Sequence, residues 1–189
     1  KTITLFDTVQ PIVNKNVASF RMDRWSQYFA DDTSYVSRHF YTHQNGYKFG
    51  FKVYARGLYS YEGTHMCIVA HLMEGEYDDE LSFPFRGDIT LRLVDQGSKG
   101  QHHERTFSFD DKTDSRLCSR VPLTMESHGL GIFDFISIKQ LKSYEDSQYL
   151  KDDALKLEVA RVIIRSCPQS KEVTPSISSG NKISFKSNG

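Results

Sequence analysis

Cysteine is scarce in this chain of 189 residues: the three present, Cys67, Cys118 and Cys167, are odd in number and widely spaced. That argues against a disulfide framework and for a reduced, intracellular (cytoplasmic) protein. Neither sign of charge dominates, since 24 Lys and Arg balance 24 Asp and Glu. The basic surplus used for non-specific nucleic-acid or anionic-membrane binding is therefore missing, and neither partner is expected. No apolar run approaches the roughly 18 residues of a membrane span, and mean hydropathy is −0.51. The chain opens at Lys1 without a charged-then-apolar leader, so no signal peptide is read, and a fragment with further modules upstream is expected.

Patterns that carry chemistry are equally thin. The cysteines lack C-x-x-C spacing, so His102, His103 and His128 with Cys118 make a poor zinc set, and the histidine pair reads as part of a solvated turn. His65 and Cys67 share a strand face, yet Cys67 lies in an apolar run that should bury it as an inert thiol. Glu76, Asp78, Asp79 and Glu80 read as a solvated turn or as local partners of Arg86. No RING or zinc-finger pattern is present, so no ubiquitin transfer is assigned to these residues. The expectation is no enzyme, no catalytic residue, no metal and no cofactor.

What the chain does have is 38% hydrophobic and 13% aromatic content, enough for one domain with a sizeable core. Short alternating runs recur along it. Ser19 to Trp25, Tyr35 to Tyr41 and Tyr47 to Tyr54 are separated by the turns Asp31-Asp32-Thr33-Ser34 and His43-Gln44-Asn45-Gly46. In the third run Tyr47, Phe49, Phe51 and Val53 share one face, and Lys48, Gly50, Lys52 and Tyr54 the other. Gly63 to Met73 is mostly apolar, as in a central strand covered on both sides. Ile89, Leu91 and Leu93 alternate with Thr90 and Arg92, and Thr106 to Phe109, Ile132 to Ile136 and Ala154 to Ile164 alternate likewise. Lys139 to Tyr144 suits a single helical turn. About eight strands with short polar turns predict an all-β antiparallel sandwich. Residues 1–16 read as a linker with no heptad pattern, 17–166 as the domain, and 167–189, rich in Pro, Ser, Lys, Gly and Asn, as a flexible tail in which Ile183-Ser184-Phe185 could add an edge strand.

Several motifs carry a family resemblance. Phe40-Tyr41-Thr42-His43 leads into Gly46-Tyr47-Lys48, and Gly63-Thr64-His65 precedes the central run. Gly75-Glu76-Tyr77-Asp78, Phe83-Pro84-Phe85 and Leu93-Val94-Asp95-Gln96 form the most recognisable block. Gly129-Leu130-Gly131-Ile132-Phe133-Asp134-Phe135 and Tyr149-Leu150-Lys151-Asp152-Asp153-Ala154-Leu155 follow. In this order, across residues 17 to 164, the chain resembles the C-terminal TRAF or MATH domain of the tumour-necrosis-factor-receptor-associated factors. The resemblance implies an eight-stranded antiparallel sandwich that acts as a signalling adaptor. Its partners would be short extended peptides from cytoplasmic receptor tails or adaptors, bound within a homotrimer. That trimer is expected to be weak here, because residues 1–16 supply no coiled coil. The alternative is a self-association module with a vestigial groove.

Carried over position by position, the resemblance places Lys52 against an acidic peptide side chain and Tyr54 beside it. Family members commonly hold Arg where Lys52 stands, and Lys lacks the bidentate fork. Phe109 to Arg120 matches the family's peptide-binding strand, with Phe109 and Cys118 at apolar pocket positions. Where one branch has three serines gripping a glutamine, this chain has Ser115, Arg116 and Leu117. Where another branch places two aromatics around a Gly-x-Gly turn, it has Leu130 and Ile132 within Gly129 to Ile132, which cannot stack or make cation–π contact. The implied groove prefers apolar residues, with basic help from Lys52 and Arg116. The plain alternatives are that Lys52 solvates an outer face and that Leu130 and Ile132 pack in the core.

Overall fold

Alternating side chains decide which way each strand faces. The computed structural model describes residues 11–120, 128–142 and 149–165, and the tail 167–189 and Cys167 lie outside them. In chain order the strands are β1 (Ile12–Met22), β2 (Ser34–Val36), β3 (Phe40–Tyr41), β4 (Lys48–Tyr54), β5 (His65–Met73), β6 (Gly87–Leu93), β7 (His103–Phe109), β8 (Leu130–Ser137) and β9 (Leu155–Ile164). Short helices α1 (Trp25–Asp31), α2 (Ser115–Cys118) and α3 (Ile138–Leu141) join them. One antiparallel sheet has the order β1-β9-β6-β7; the other has β2-β4-β5-β8, with β3 also on β4. The expected antiparallel β-sandwich is what forms.

The inner faces are strongly apolar. Ile89, Leu91 and Leu93 of β6 face Phe49, Phe51 and Val53 of β4 and Met66, Ile68 and Ala70 of β5 across one continuous cluster, and all are essentially fully buried. Each of these side chains except that of Ala70 contributes roughly 1.5–3 kcal/mol relative to exposure. Phe85, between the sheets, meets Tyr47, Phe49 and Phe109 edge-on at centroid distances of 4.8, 5.0 and 5.2 Å, the geometry that ring quadrupoles favour. The Phe83-Pro84-Phe85 corner is thus a core element. Its Phe85 N–H also donates to the Cys118 carbonyl at 2.6 Å, tying α2 to the core.

Four local details depart from the sequence reading. Pairing reaches Ile12, inside the segment read as a linker: Ile12 to Lys15 align with Ile164 to Arg161, before an irregularity around Asn16, whose φ is 51°. Trp25 opens α1 instead of ending a strand, because Arg24 turns left-handed and the Ser26 amide and hydroxyl bond to the Asp153 carboxylate at 2.9 and 2.7 Å. The Tyr35 to Tyr41 run splits, since Ser37 exchanges hydrogen bonds with Phe51 and Arg38-His39 bow away. Finally, the strand expected over Phe109 to Arg120 stops at Phe109. Asp110 accepts from the Lys112 amide and Asp114 caps α2 by accepting from the Arg116 amide, both at 2.9 Å, so the chain turns there.

Candidate functional site

The outer face of the five-stranded sheet is built by the residues left over once the core has taken its alternate positions. On β4 these are Lys48, Gly50, Lys52 and Tyr54; on β5 they are His65, Cys67, Val69, His71 and Met73. The pairing register aligns Val36, Lys52, Val69 and Gly131 in one row across four strands, and Gly50 with His71 in the next. Val36 is 61% exposed, Lys52 and Val69 half-buried. Beside them Tyr59 is 79% exposed and held edge-on to Phe133 at 5.5 Å. The Phe133 ring lies over Gly131, where a Cβ would come within 2.8 Å of it. Burial, then the neighbouring Tyr59, pushes the Tyr54 hydroxyl pKa up, so it stays a neutral donor.

Close approach demands glycine at the start of β8. A Cβ on Gly129 would stand 2.5 Å from Val69 Cγ1, 2.7 Å from the Ala70 carbonyl and 2.9 Å from His71 Cε1. The chain can therefore cross β5 here only without a side chain. The His71 imidazole Nδ1 lies 3.2 Å from the His128 carbonyl oxygen. Its pKa is lowered, chiefly by burial and then by the positive charge of Lys52.

Among the described residues β8 is the terminal strand of its sheet. Part of its outer rim is already occupied. His103 Nε2 donates to the Phe135 carbonyl at 2.6 Å, and Arg105 bonds the Asp134 carbonyl and carboxylate at 2.7 and 2.8 Å. The Cys67 thiol donates to the Phe133 carbonyl at 2.7 Å, and burial pushes its pKa up, as expected of an unreactive thiol. These contacts leave the stretch from Gly129 to Ile132 as the edge nearest Val69, His71 and Lys52.

The chain matches the family described as TRAF/meprin, MATH domain, over residues 32–158. It belongs to that family. It is 33% identical over 144 residues to TNF receptor-associated factor 5 of Mus musculus, an alignment covering 76% of this chain and 25% of that protein. TNF receptor-associated factor 1 of Mus musculus is 32% identical, with 66% of this chain and 29% of that protein covered. TNF receptor-associated factor 6 of Bos taurus is 30% identical, with 61% and 21% covered. The chain thus spans about a quarter of the length of the curated relatives it matches. A solved structure described as Notothenia coriiceps TRAF5 superposes with a TM-score of 0.68 at 24% identity, covering 84% of this chain and 77% of that one, and shows the same fold.

Of the positions carried over from the family, this MATH domain brings together Lys52, Tyr54, Gly129 and Gly131 on one outer face. It does not bring all the rest to the surface. Phe109 and Cys118, expected at apolar pocket positions, are fully buried in the core. Cys118 Sγ accepts from Arg86 Nη1 at 2.9 Å, and Arg86 also bonds Asp111. The acidic turn therefore takes another partner than Arg86: Arg120 reaches Asp79 at 2.6 Å and Asp78 at 3.9 Å. Leu130 and Ile132 align with the buried Ala70 and Ile68 and pack, half-buried, against the core. Ser115 and Arg116 are exposed on α2, which packs on β5, and Leu117 is half-buried there. Arg116 is held at 2.6 Å by Asp114, whose carboxyl it lowers to about 2. Val69, His71, Tyr59 and Phe133 lie with Lys52, Tyr54, Gly129 and Gly131 although their identities alone did not mark them. Alternation within His65 to Met73 was the available signal for Val69 and His71.

Proposed function

We propose that this MATH domain is a signalling adaptor that docks short extended peptides from receptor tails or adaptor proteins along the Gly129 to Ile132 edge and across the adjoining outer face. The observation that carries the reading is the row Val36, Lys52, Val69 and Gly131 lying beside an edge whose continuation past Phe133 is already capped by His103 and Arg105. An added strand gains main-chain hydrogen bonds from such an edge, while alternate side chains are read by the neighbouring face. Lys52 favours an acidic peptide residue, and Val69 and Val36 favour aliphatic ones. The names of the matched relatives, receptor-associated factors, support a receptor-linked partner. The domain works in the cytoplasm without enzymatic activity of its own, and any ligase chemistry would lie in modules outside these residues. A homotrimer raises avidity for clustered tails. Without a heptad in residues 1–16 that trimer forms only at high concentration, and light scattering that finds a stable trimer at low micromolar concentration contradicts this part.

Peptide arrays of extended segments carrying one acidic residue, probed with the wild-type domain, Lys52→Glu and Tyr54→Ala, test the docking face. Binding by the wild type that both substitutions weaken is expected. Unchanged binding in both variants sinks the groove assignment. A blank array with self-association in solution favours the alternative, a structural module with a vestigial groove.

A further inference from the structure

We propose that His71 is a positioning residue for peptide docking: its neutral imidazole clamps the backbone at His128 and Gly129, setting the start of the β8 edge, and protonation releases it. This rests on the docking reading above, since the clamped edge is the one that would receive the peptide strand. A carbonyl oxygen can only accept, so the 3.2 Å contact with His128 requires the proton on His71 Nδ1. That fixes the tautomer and leaves Nε2 as a lone pair, buried and without a hydrogen-bond partner among the described residues. The Nδ1–H bond to the His128 carbonyl survives protonation and favours it, but burial and the Lys52 charge outweigh that bond, so the neutral ring is the form this setting holds. A second proton at Nε2 would create a buried donor with no acceptor among the described residues. The new cation would also face Lys52 on β4, whose charge already opposes it.

Among the described residues, no other charged or titratable group accepts from Nε2. His128 contributes its carbonyl from the segment ahead of β8, and Asp114 on α2 acts on His128 while its carboxylate is engaged by Arg116. Gly50, the register partner of His71, and Gly129, which lies against it, bring no side chain. The same Gly129 that must lack a Cβ lies against His71 Cε1, so a shift of the imidazole is transmitted directly to the edge backbone. Ring, carbonyl and glycine therefore form one contact with two states, set by a single proton.

Amide hydrogen exchange on the peptide-free domain tests this, comparing Leu130 to Ile132 with Ile89 and Leu91 of β6 between about pH 7.5 and about pH 5.5. After correction for intrinsic exchange, the wild type is expected to lose protection at Leu130 to Ile132 as pH falls while β6 keeps its own. His71→Asn, whose side-chain amide donates to the same carbonyl and does not titrate, should show no such loss. His71→Ala should lack the protection at both pH values. Equal pH dependence in the wild type and His71→Asn, or full protection in His71→Ala near neutral pH, overturns the proposal. Because no peptide is present, the two readings fail separately. A blank peptide array refutes docking and leaves the clamp standing; a positive array with flat exchange refutes the clamp alone.

Discussion

On the outer face of the four-stranded sheet, Arg92 bonds Glu104 at 2.7 Å and reaches Glu158 at 3.4 Å, Arg165 pairs with Asp88, and the Thr90 and Thr106 hydroxyls share a hydrogen bond at 3.0 Å. On the outer face of the five-stranded sheet the central rows hold Val36, Lys52 and Val69, glycines at 50, 129 and 131, and one histidine. Both sheets bury the same kind of inner face, so the core does not explain the contrast. A ladder of cross-strand charges answers its own hydrogen-bonding demand and stays hydrated. A face with apolar rows and missing side chains leaves relief that another chain can fill. The second kind of surface is the one proposed above for peptide docking.

The largest effect should come from filling that relief. Gly129→Val is expected to cost about 1–3 kcal/mol, the range for overpacking, because its Cβ would meet Val69 and the Ala70 carbonyl at 2.5 and 2.7 Å. Urea unfolding checks this, with Ser19→Val on the opposite, charged sheet shifting stability by no more than about 0.5 kcal/mol. If both changes cost the same, the two faces are not different in the way described. Next, Lys52→Glu should weaken binding of an acidic array peptide by about tenfold, or about 1.4 kcal/mol, while Arg92→Glu on the other face leaves affinity unchanged; fluorescence anisotropy measures both.

A pH scan then separates the faces by titration. The folded His71 pKa lies below its ordinary 6.5 through burial and Lys52, so its stabilising contribution is present above about pH 6.5 and lost as pH falls below it. Thermal unfolding of the wild type should show this loss and His71→Asn should not, a difference that disappears if the ring is not the titrating group. The smallest effect is expected from Arg92→Ala: a loss of about 0.2–1 kcal/mol, reduced further by salt because the pairs are partly exposed, and no change in peptide affinity.

Much of the fold was legible because period-two alternation is enforced wherever one face is buried. Ile89, Leu91 and Leu93, and Phe49, Phe51 and Val53, had to point the same way, and they do. Lys52 and Tyr54 followed as the complementary set. Where the reading failed, the cause was a local contact invisible in composition. Asp153 captures Ser26 from 127 residues away and starts a helix at Trp25. Asp114 seizes the Arg116 amide and guanidinium, turning an expected strand into α2 and engaging a cation that would have served the groove. Leu130 and Ile132 were ambiguous because an apolar residue suits both a core and a pocket. Their alignment with Ile68 and Ala70 sets them, half-buried, against the core.

The amino-acid sequence by itself therefore determined the sandwich, the family and the inner faces, since all three depend on patterns repeated over many residues. The tertiary structure alone decided what the outer face of the five-stranded sheet contains. Val36, Lys52, Val69 and Gly131 come from four separate segments, and His71 gains its meaning from a carbonyl 57 residues away. A site assembled across strands has no local spacing to betray it; it exists only once pairing register has been fixed.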